Sequence, residues 1–299
     1  MIKADASANP SKTRDRRRLP YQARQPWLPS SAGVVMTLPR PGATFHWTSE
    51  VWGEALRCHG IGRAAQHLFT SKQLALPDDA AWRAALASVG STSDRLMRVK
   101  QVHGNAVRIL KRGEVAGDAS RHRPDGDAIV SNQAGLALSV MVADCVPILV
   151  CDQARGAAAA IHAGWRGTCA RVAQTAVETM QREFGSDPAE LIAAIGPSAG
   201  PDDYEVGESL VDAFLSGGHD RGDVDRWFIR TSAKPRLDLW SANRDQLAAM
   251  GIPGGNIHVC GLSTVSHPDI FDSYRVAGER AGRMAAIIVV PTEANRPPA

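Results

Sequence analysis

The chain has 299 residues, 44% of them hydrophobic, and a net charge of +3, enough apolar material for the core of one large domain or two small ones. No run approaches the roughly 20 apolar residues of a membrane helix, so a helical span is excluded. The five cysteines, Cys58, Cys145, Cys151, Cys169 and Cys260, are odd in number and lack C-x-x-C spacing, which argues against a disulfide framework and for a cytoplasmic protein.

Residues 1–44 hold eight Lys/Arg against two Asp, a charge of +6 that leaves −3 for the remainder. Rich in Pro, Ser and Arg and without periodicity, this stretch reads as a disordered extension, and nonspecific contact by it is the only nucleic-acid contact expected. Arg16-Arg17-Arg18 is followed by Pro20, Pro26 and Pro29 instead of an apolar run, so no export signal is expected. A single domain is expected over 45–299.

Within it, Asp78 to Val89 reads as a helix with Trp82, Ala85, Leu86 and Val89 on one face. Strands are expected at Leu96 to Val102 and Val107 to Leu110, with His103 in the loop between them. Asp125-Gly126-Asp127 reads as a turn feeding a strand at Ala128 to Val130, because a calcium loop would need further acids at alternating positions. The aliphatic runs Leu136 to Val142 and Val146 to Cys151 predict buried strands broken at Ala143-Asp144, which puts Cys145 at a strand edge. The run Ala157 to Ile161 predicts a strand that delivers His162 just beyond its end. A helix is expected from Thr168 to Phe184, closed by Gly185. Then come a strand at Leu191 to Ile195, a helix at Glu208 to Leu215, a polar Gly-rich loop at Ser216 to Asp225, a helix at Asp238 to Met250, a strand at Ile257 to Gly261, and a last strand, Met284 to Val290, closing the sheet.

Taken singly, a Cys among aliphatic residues is ordinary core packing and a lone His after a strand is a satisfied polar group. Asp144 and Arg166, however, are charged residues abutting apolar strands, where burial without a partner is costly, and they point to a polar site at the strand ends. The bracketed turn Gly164-Trp165-Arg166-Gly167 opens a helix, where free N–H groups and Arg166 or Arg171 would suit a phosphate.

The segments Val102-His103-Gly104, Ala143-Asp144-Cys145-Val146-Pro147, His162-Ala163-Gly164-Trp165-Arg166-Gly167, Ile195-Gly196-Pro197, Tyr204-Glu205-Val206 and Ser273-Tyr274-Arg275, in that order, resemble the YfiH/laccase-domain family. The resemblance runs from about His59 to Val290. It implies an α/β (α+β) mixed-sheet sandwich layered with helices, and a zinc-dependent purine nucleoside phosphorylase with adenosine deaminase activity. Such an enzyme splits adenosine, inosine, guanosine or methylthioadenosine with phosphate into free base and ribose 1-phosphate. The chain departs from the family over 45–76, where only His59-Gly60-Ile61 and Ser71-Lys72-Gln73-Leu74 echo the usual pattern. It also has Ser263-Thr264 where Cys-Thr is usual, and Ala281 where Thr is common.

His103, Cys145 and His162 are too far apart in sequence for a zinc finger and suit three strand ends meeting at one ion. Two imidazoles and a thiolate fit tetrahedral Zn2+ with a fourth position left open, as at catalytic sites. Phosphate is expected at Gly164, Gly167 and Arg166. Asp144, Tyr204 or Glu205 would then act as proton donors or ribose contacts, with Arg275 beside them. For Glu205 and Tyr204 the plain alternatives are helix-start electrostatics and packing. Three rivals stand beside this reading. Cys145 can be a thiolate nucleophile with His162 or His103 as base, hydrolysing an amide in peptidoglycan-precursor editing. The pocket can bind a nucleoside without catalysis. A multicopper oxidase is disfavoured, because nine histidines contain no His-x-His pair.

Overall fold

Strands in this chain are apolar at consecutive positions, and that pattern requires cover on both faces. Two six-stranded sheets supply it by packing face to face, with helices over each outer face. The computed structural model describes residues 37–76, 78–113, 123–230 and 234–292.

The chain begins with the antiparallel pair β1 (Phe45–Glu50) and β2 (Gly53–Cys58), the single turn α1 (His59–Gly62) and β3 (His67–Thr70). Helix α2 (Asp79–Ala87) follows, capped by the Asp78 carboxylate, which accepts from the Ala80 N–H. Next come β4 (Leu96–Arg98), β5 (Val107–Leu110), β6 (Ala128–Ser131), β7 (Ala137–Val142), β8 (Val146–Asp152) and β9 (Ala157–Ala163). Helices α3 (Trp165–Cys169) and α4 (Val172–Phe184) lead to β10 (Ile192–Ile195). Helices α5 (Glu208–Ser216) and α6 (Arg221–Trp227), the small ribbon of β11 (Phe228–Ile229) and β12 (Arg236–Leu237), and α7 (Leu239–Ala249) precede β13 (Ile257–Val259). The turn α8 (Tyr274–Ala277) and β14 (Met284–Val289) end the fold.

One sheet has the order β1-β2-β3-β14-β7-β4 and the other β13-β10-β8-β9-β6-β5. Leu138, Val140, Ala286 and Ile288 of the first sheet meet Ile129, Leu149, Ala158 and Ala160 of the second in the central core. Alternate residues of the same strands, Ala157, Ala159 and Ile161 of β9 among them, face α4 to α7 in an outer core. Trp82, Ala85 and Leu86 of α2 cover the opposite side. This is the mixed-sheet sandwich that the family resemblance implies.

Four local expectations change. His162 lies inside β9, paired with Pro147, because the ladder to β8 continues to Ala163. The helix expected over Thr168 to Phe184 is two helices, since Arg171 adopts a left-handed φ of 59° and donates to the carbonyls of Gly217 and Gly218. The loop expected over Ser216 to Asp225 contains the start of α6. Asp220 caps that helix through the Gly222 N–H, and its apolar face buries Val224 and Trp227. The last strand does not close a sheet but lies between β3 and β7. Of the extension expected over 1–44, residues 1–36 lie outside the described residues. Gly42 donates to the Cys260 carbonyl, and the Trp47 indole donates to that of Pro39.

Candidate metal centre and its pocket

Three strand ends build the site, and one buried carboxylate holds two of them. β7 belongs to one sheet and β8 to the other, so Ala143-Asp144-Cys145 is where the chain crosses between sheets. Asp144 makes the corner with φ 84°, a conformation that costs energy in a residue with a side chain and persists only when its surroundings fix it. They do so through both carboxylate oxygens. Oδ1 accepts from the Thr264 hydroxyl at 2.7 Å and Oδ2 from the Arg275 N–H at 2.7 Å, while the Asp144 carbonyl accepts from the Ala199 N–H. The next residue, Cys145, turns its sulfur toward His103 and Gly164.

His103 sits in the loop after β4, also with a positive φ of 61°. The Asp127 carboxylate fixes that loop by accepting from the N–H groups of His103 (2.9 Å), Gly104 (2.6 Å) and Val102 (3.4 Å). The same carboxylate accepts from His162 Nδ1 at 2.9 Å, and the His162 N–H donates to the Asp127 carbonyl. With Nδ1 thus carrying the proton, Nε2 of His162 keeps its lone pair for another partner. The rings of His103 and His162 meet edge to face, 4.8 Å apart. One ligand atom from each of His103, Cys145 and His162 lies within 4.8 Å of the others. Sγ of Cys145 and Nε2 of His103 are 3.9 Å apart, close to the roughly 3.6 Å expected of a thiolate and an imidazole sharing a tetrahedral zinc. Gly164 allows this approach. A Cβ there would stand 2.9 Å from Cys145 Sγ and 3.2 Å from His103 Cδ2.

The electrostatics suit metal ligation. Burial pushes the Cys145 thiol up, but hydrogen bonds from His103 and His162 outweigh it and bring the pKa below the ordinary thiol range. Burial opposes the charge of His162, whereas Asp127 and the Cys145 sulfur raise its pKa. Asp127, fully buried, is held below the usual carboxylate range against its burial by His162 and the Gly104 N–H.

A pocket of about 800 Å3 opens over these residues, within the size range of ligand sites. Tyr204, Tyr274, Arg275 and Arg283 also line it. The Arg275 guanidinium lies 4.2 Å over the Tyr204 ring and donates to the Glu205 carbonyl. Burial, followed by the negative charge of Cys145, raises the Tyr204 pKa. Gln101 closes one side, its amide bonded to both the N–H and the carbonyl of Met141 like an extra strand residue.

Of the residues singled out from sequence, His103, Cys145, His162, Asp144, Tyr204 and Arg275 share this pocket. Arg166 does not line it: its guanidinium is exposed and stacks 4.3 Å over Trp165. Gly167 is buried under the Gly104 carbonyl, and Glu205 contributes its carbonyl while its side chain stays exposed. Sequence reasoning missed Asp127, Gln101 and Arg283. For Asp127 a signal was present, a charge directly preceding an apolar strand, the same criterion that singled out Asp144.

Residues 79–291 match the family profile described as multi-copper polyphenol oxidoreductase laccase. The chain belongs to this family. A purine nucleoside phosphorylase of Bacteroides thetaiotaomicron is 40% identical to this laccase-family chain over 166 residues, 55% of the chain and 60% of that relative's length. A purine nucleoside phosphorylase of Deinococcus radiodurans is 35% identical over 69% of the chain and 74% of its own length. An enzyme named adenosine deaminase RL5, from an unknown prokaryotic organism, is 35% identical over 65% of the chain and 75% of its own length. Among solved structures, YlmD from Geobacillus stearothermophilus superposes with a TM-score of 0.72 at 27% identity, covering 82% of this chain and 99% of that one.

Proposed function

We propose that this chain is a zinc-dependent purine nucleoside phosphorylase, with the ion held by His103, Cys145 and His162. The observation that carries this reading is the convergence of two imidazoles and a thiolate within 4.8 Å in a pocket that is also lined by two arginines and two tyrosines. Zinc bound there supplies a Lewis acid with an open position, the chemistry that hydrolytic deamination also draws on. The chain's own residues do the rest. Asp127 fixes the tautomer and direction of His162 and the loop carrying His103, so both imidazoles are preset. Asp144 acts by position, tying Cys145 to Thr264 and to the N–H of Arg275.

Phosphate is taken by Arg275 and Arg283, since both line the pocket and Arg166 does not. Tyr204 and Tyr274 receive the purine. The Tyr204 hydroxyl, protonated at neutral pH as an ordinary tyrosine's is, serves as a donor to the departing base. Laccase chemistry finds little material here. His103, Cys145 and His162 are the single group of three or more metal-capable side chains among the described residues, and a trinuclear copper cluster needs more histidines.

The test incubates adenosine and inosine with the purified protein, with and without phosphate, and separates the products by chromatography. Free base and ribose 1-phosphate are expected only with phosphate, zinc is expected at one equivalent, and both are lost in Cys145→Ala. Inosine from adenosine without phosphate would assign deamination instead. A second reading is favoured by one specific observation, the Asp127–His162–Cys145 series, which has the order of a thiol hydrolase's orienting acid, base and nucleophile. A metal-free protein that traps a covalent adduct on Cys145 would establish it.

A further inference from the structure

A second cavity, of about 370 Å3, lies in the N-terminal segment, and every residue lining it precedes the family-matched region 79–291. Its walls come from β1, β2, α1 and the start of β3. The β1–β2 register places His46 opposite Arg57 on one face of the hairpin. His59 follows β2 and stacks on His46 with ring centroids 4.2 Å apart and planes within 17°. Arg63 and Gln66 complete the rim, and His67 lies beneath. No Asp or Glu lines this cavity.

The lining groups differ in how far they are already engaged. Arg57 is a fixed floor: its guanidinium donates to the carbonyls of His67 and Ser88, to the Thr48 hydroxyl and to Glu50, which does not itself line the cavity. His67 is also committed, accepting the Cys58 N–H at Nε2 and donating from Nδ1 to the Ala65 carbonyl. His258 of β13 packs against Gly60 behind the turn. The exposed Arg63 guanidinium makes no hydrogen bond or ion pair among the described residues, and Nδ1 of His46 is buried without a partner. Burial, then His59, then Arg57 oppose a charge on His46. Groups left in this state, a free guanidinium beside two imidazoles, are satisfied by an oxyanion with several acceptor oxygens.

We propose that this cavity binds the phosphate group of a small molecule, with Arg63, His59 and His46 as its contacts over the Arg57 floor. The volume exceeds what a bare phosphate fills and leaves room for a small organic moiety. This site is separate from the centre at Cys145 and does not rest on the nucleoside reading.

The experiment follows the imidazole C–H resonances of the full-length protein in an Arg275→Ala background, which removes a phosphate contact of the larger pocket. Inorganic phosphate is titrated in one arm and adenosine 5′-monophosphate in another, each against sodium chloride at matched ionic strength. Saturable shifts of His46 and His59, with His267 unmoved, are expected in at least one arm. Saturation by phosphate alone assigns the free anion, and tighter binding of the monophosphate assigns the monoester. Arg63→Ala, an exposed change, is expected to weaken that binding about tenfold, or about 1.4 kcal/mol. On the otherwise native chain the same change should leave phosphorolysis unaltered. Equal shifts with chloride, or an unchanged Kd in Arg63→Ala, would overturn the proposal.

Discussion

His162 and His67 are both buried among the strands of one sandwich, and their surroundings drive them in opposite directions. His162, at the end of β9, faces the Asp127 carboxylate on one side and the Cys145 sulfur on the other, and its pKa rises despite burial. His67, at the start of β3, has only backbone partners, with Arg57 and His46 nearby as further positive groups, and its pKa falls to about 4. Burial therefore opposes charge at both positions, and the presence of an anionic partner decides the outcome. At the candidate metal centre a buried acid makes the imidazole polar and directional. In the N-terminal hairpin its absence leaves a neutral ring that serves as a structural acceptor.

The largest effect expected from this difference is on stability. The folded-state pKa of His67, about 4, lies below its unfolded value of 6.5, so the unfolded chain binds the extra proton first as pH drops. The stability tied to neutral His67 is complete above pH 6.5 and is lost progressively as pH falls from there toward 4. Over that window it amounts to about 3 kcal/mol. Urea unfolding of wild type and of His67→Gln, which keeps an acceptor for the Cys58 N–H but cannot titrate, measures it directly. The variant should lose about 3 kcal/mol less than wild type between the two pH values. Parallel pH profiles would break the comparison on the hairpin side.

On the metal side, Asp127→Asn removes the negative charge and puts an amide where four N–H groups converge. Zinc affinity is expected to fall about 10- to 100-fold, the usual cost of losing an orienting partner behind a histidine ligand. Competition with a chromogenic chelator reads this out. The proposed phosphorolysis should recover in part at saturating zinc, which separates weakened ligation from general misfolding. An unchanged affinity would mean that Asp127 shapes the loop but does not act on the ion.

The two halves of the comparison were unequally legible in the sequence. Cys145, His103 and His162 stood out because each lies at the end of an expected strand and within a segment that carries the family resemblance. Asp127 did not, because Asp-Gly-Asp has a sufficient local meaning as a turn. Its partner is 35 residues away, brought to it by the pairing of Ala128 with Ile161 between β6 and β9. Strand pairing of that kind leaves no short-range trace. The break at Arg171 was hidden because its left-handed φ occurs at a residue that neither Gly nor Asn announces. Helix α6 was hidden by the glycines Gly217, Gly218 and Gly222, although Asp220 followed by buried Val224 and Trp227 is a capped amphipathic turn. In the hairpin the neutral character of His67 depends on which backbone groups face it, and these are fixed only by the ladders joining β2 to β3.

The smallest expected effect sharpens the metal side further. The His103 loop has a second tether besides Asp127: the Asn105 amide donates at 2.9 Å to the carbonyl of Ala170, at the break between α3 and α4. The bond is exposed, so Asn105→Ala should cost about 0.5–1.5 kcal/mol at most. If the tether steadies the positive φ of His103, part of that cost will appear as a fewfold loss of zinc affinity and not only as a lower Tm. Combined with Asp127→Asn, the two losses should fall short of adding, because both substitutions release the same loop. Strict additivity would show instead that Asp127 acts mainly through His162, which would place the distinction between the two buried histidines in the side-chain hydrogen bond alone.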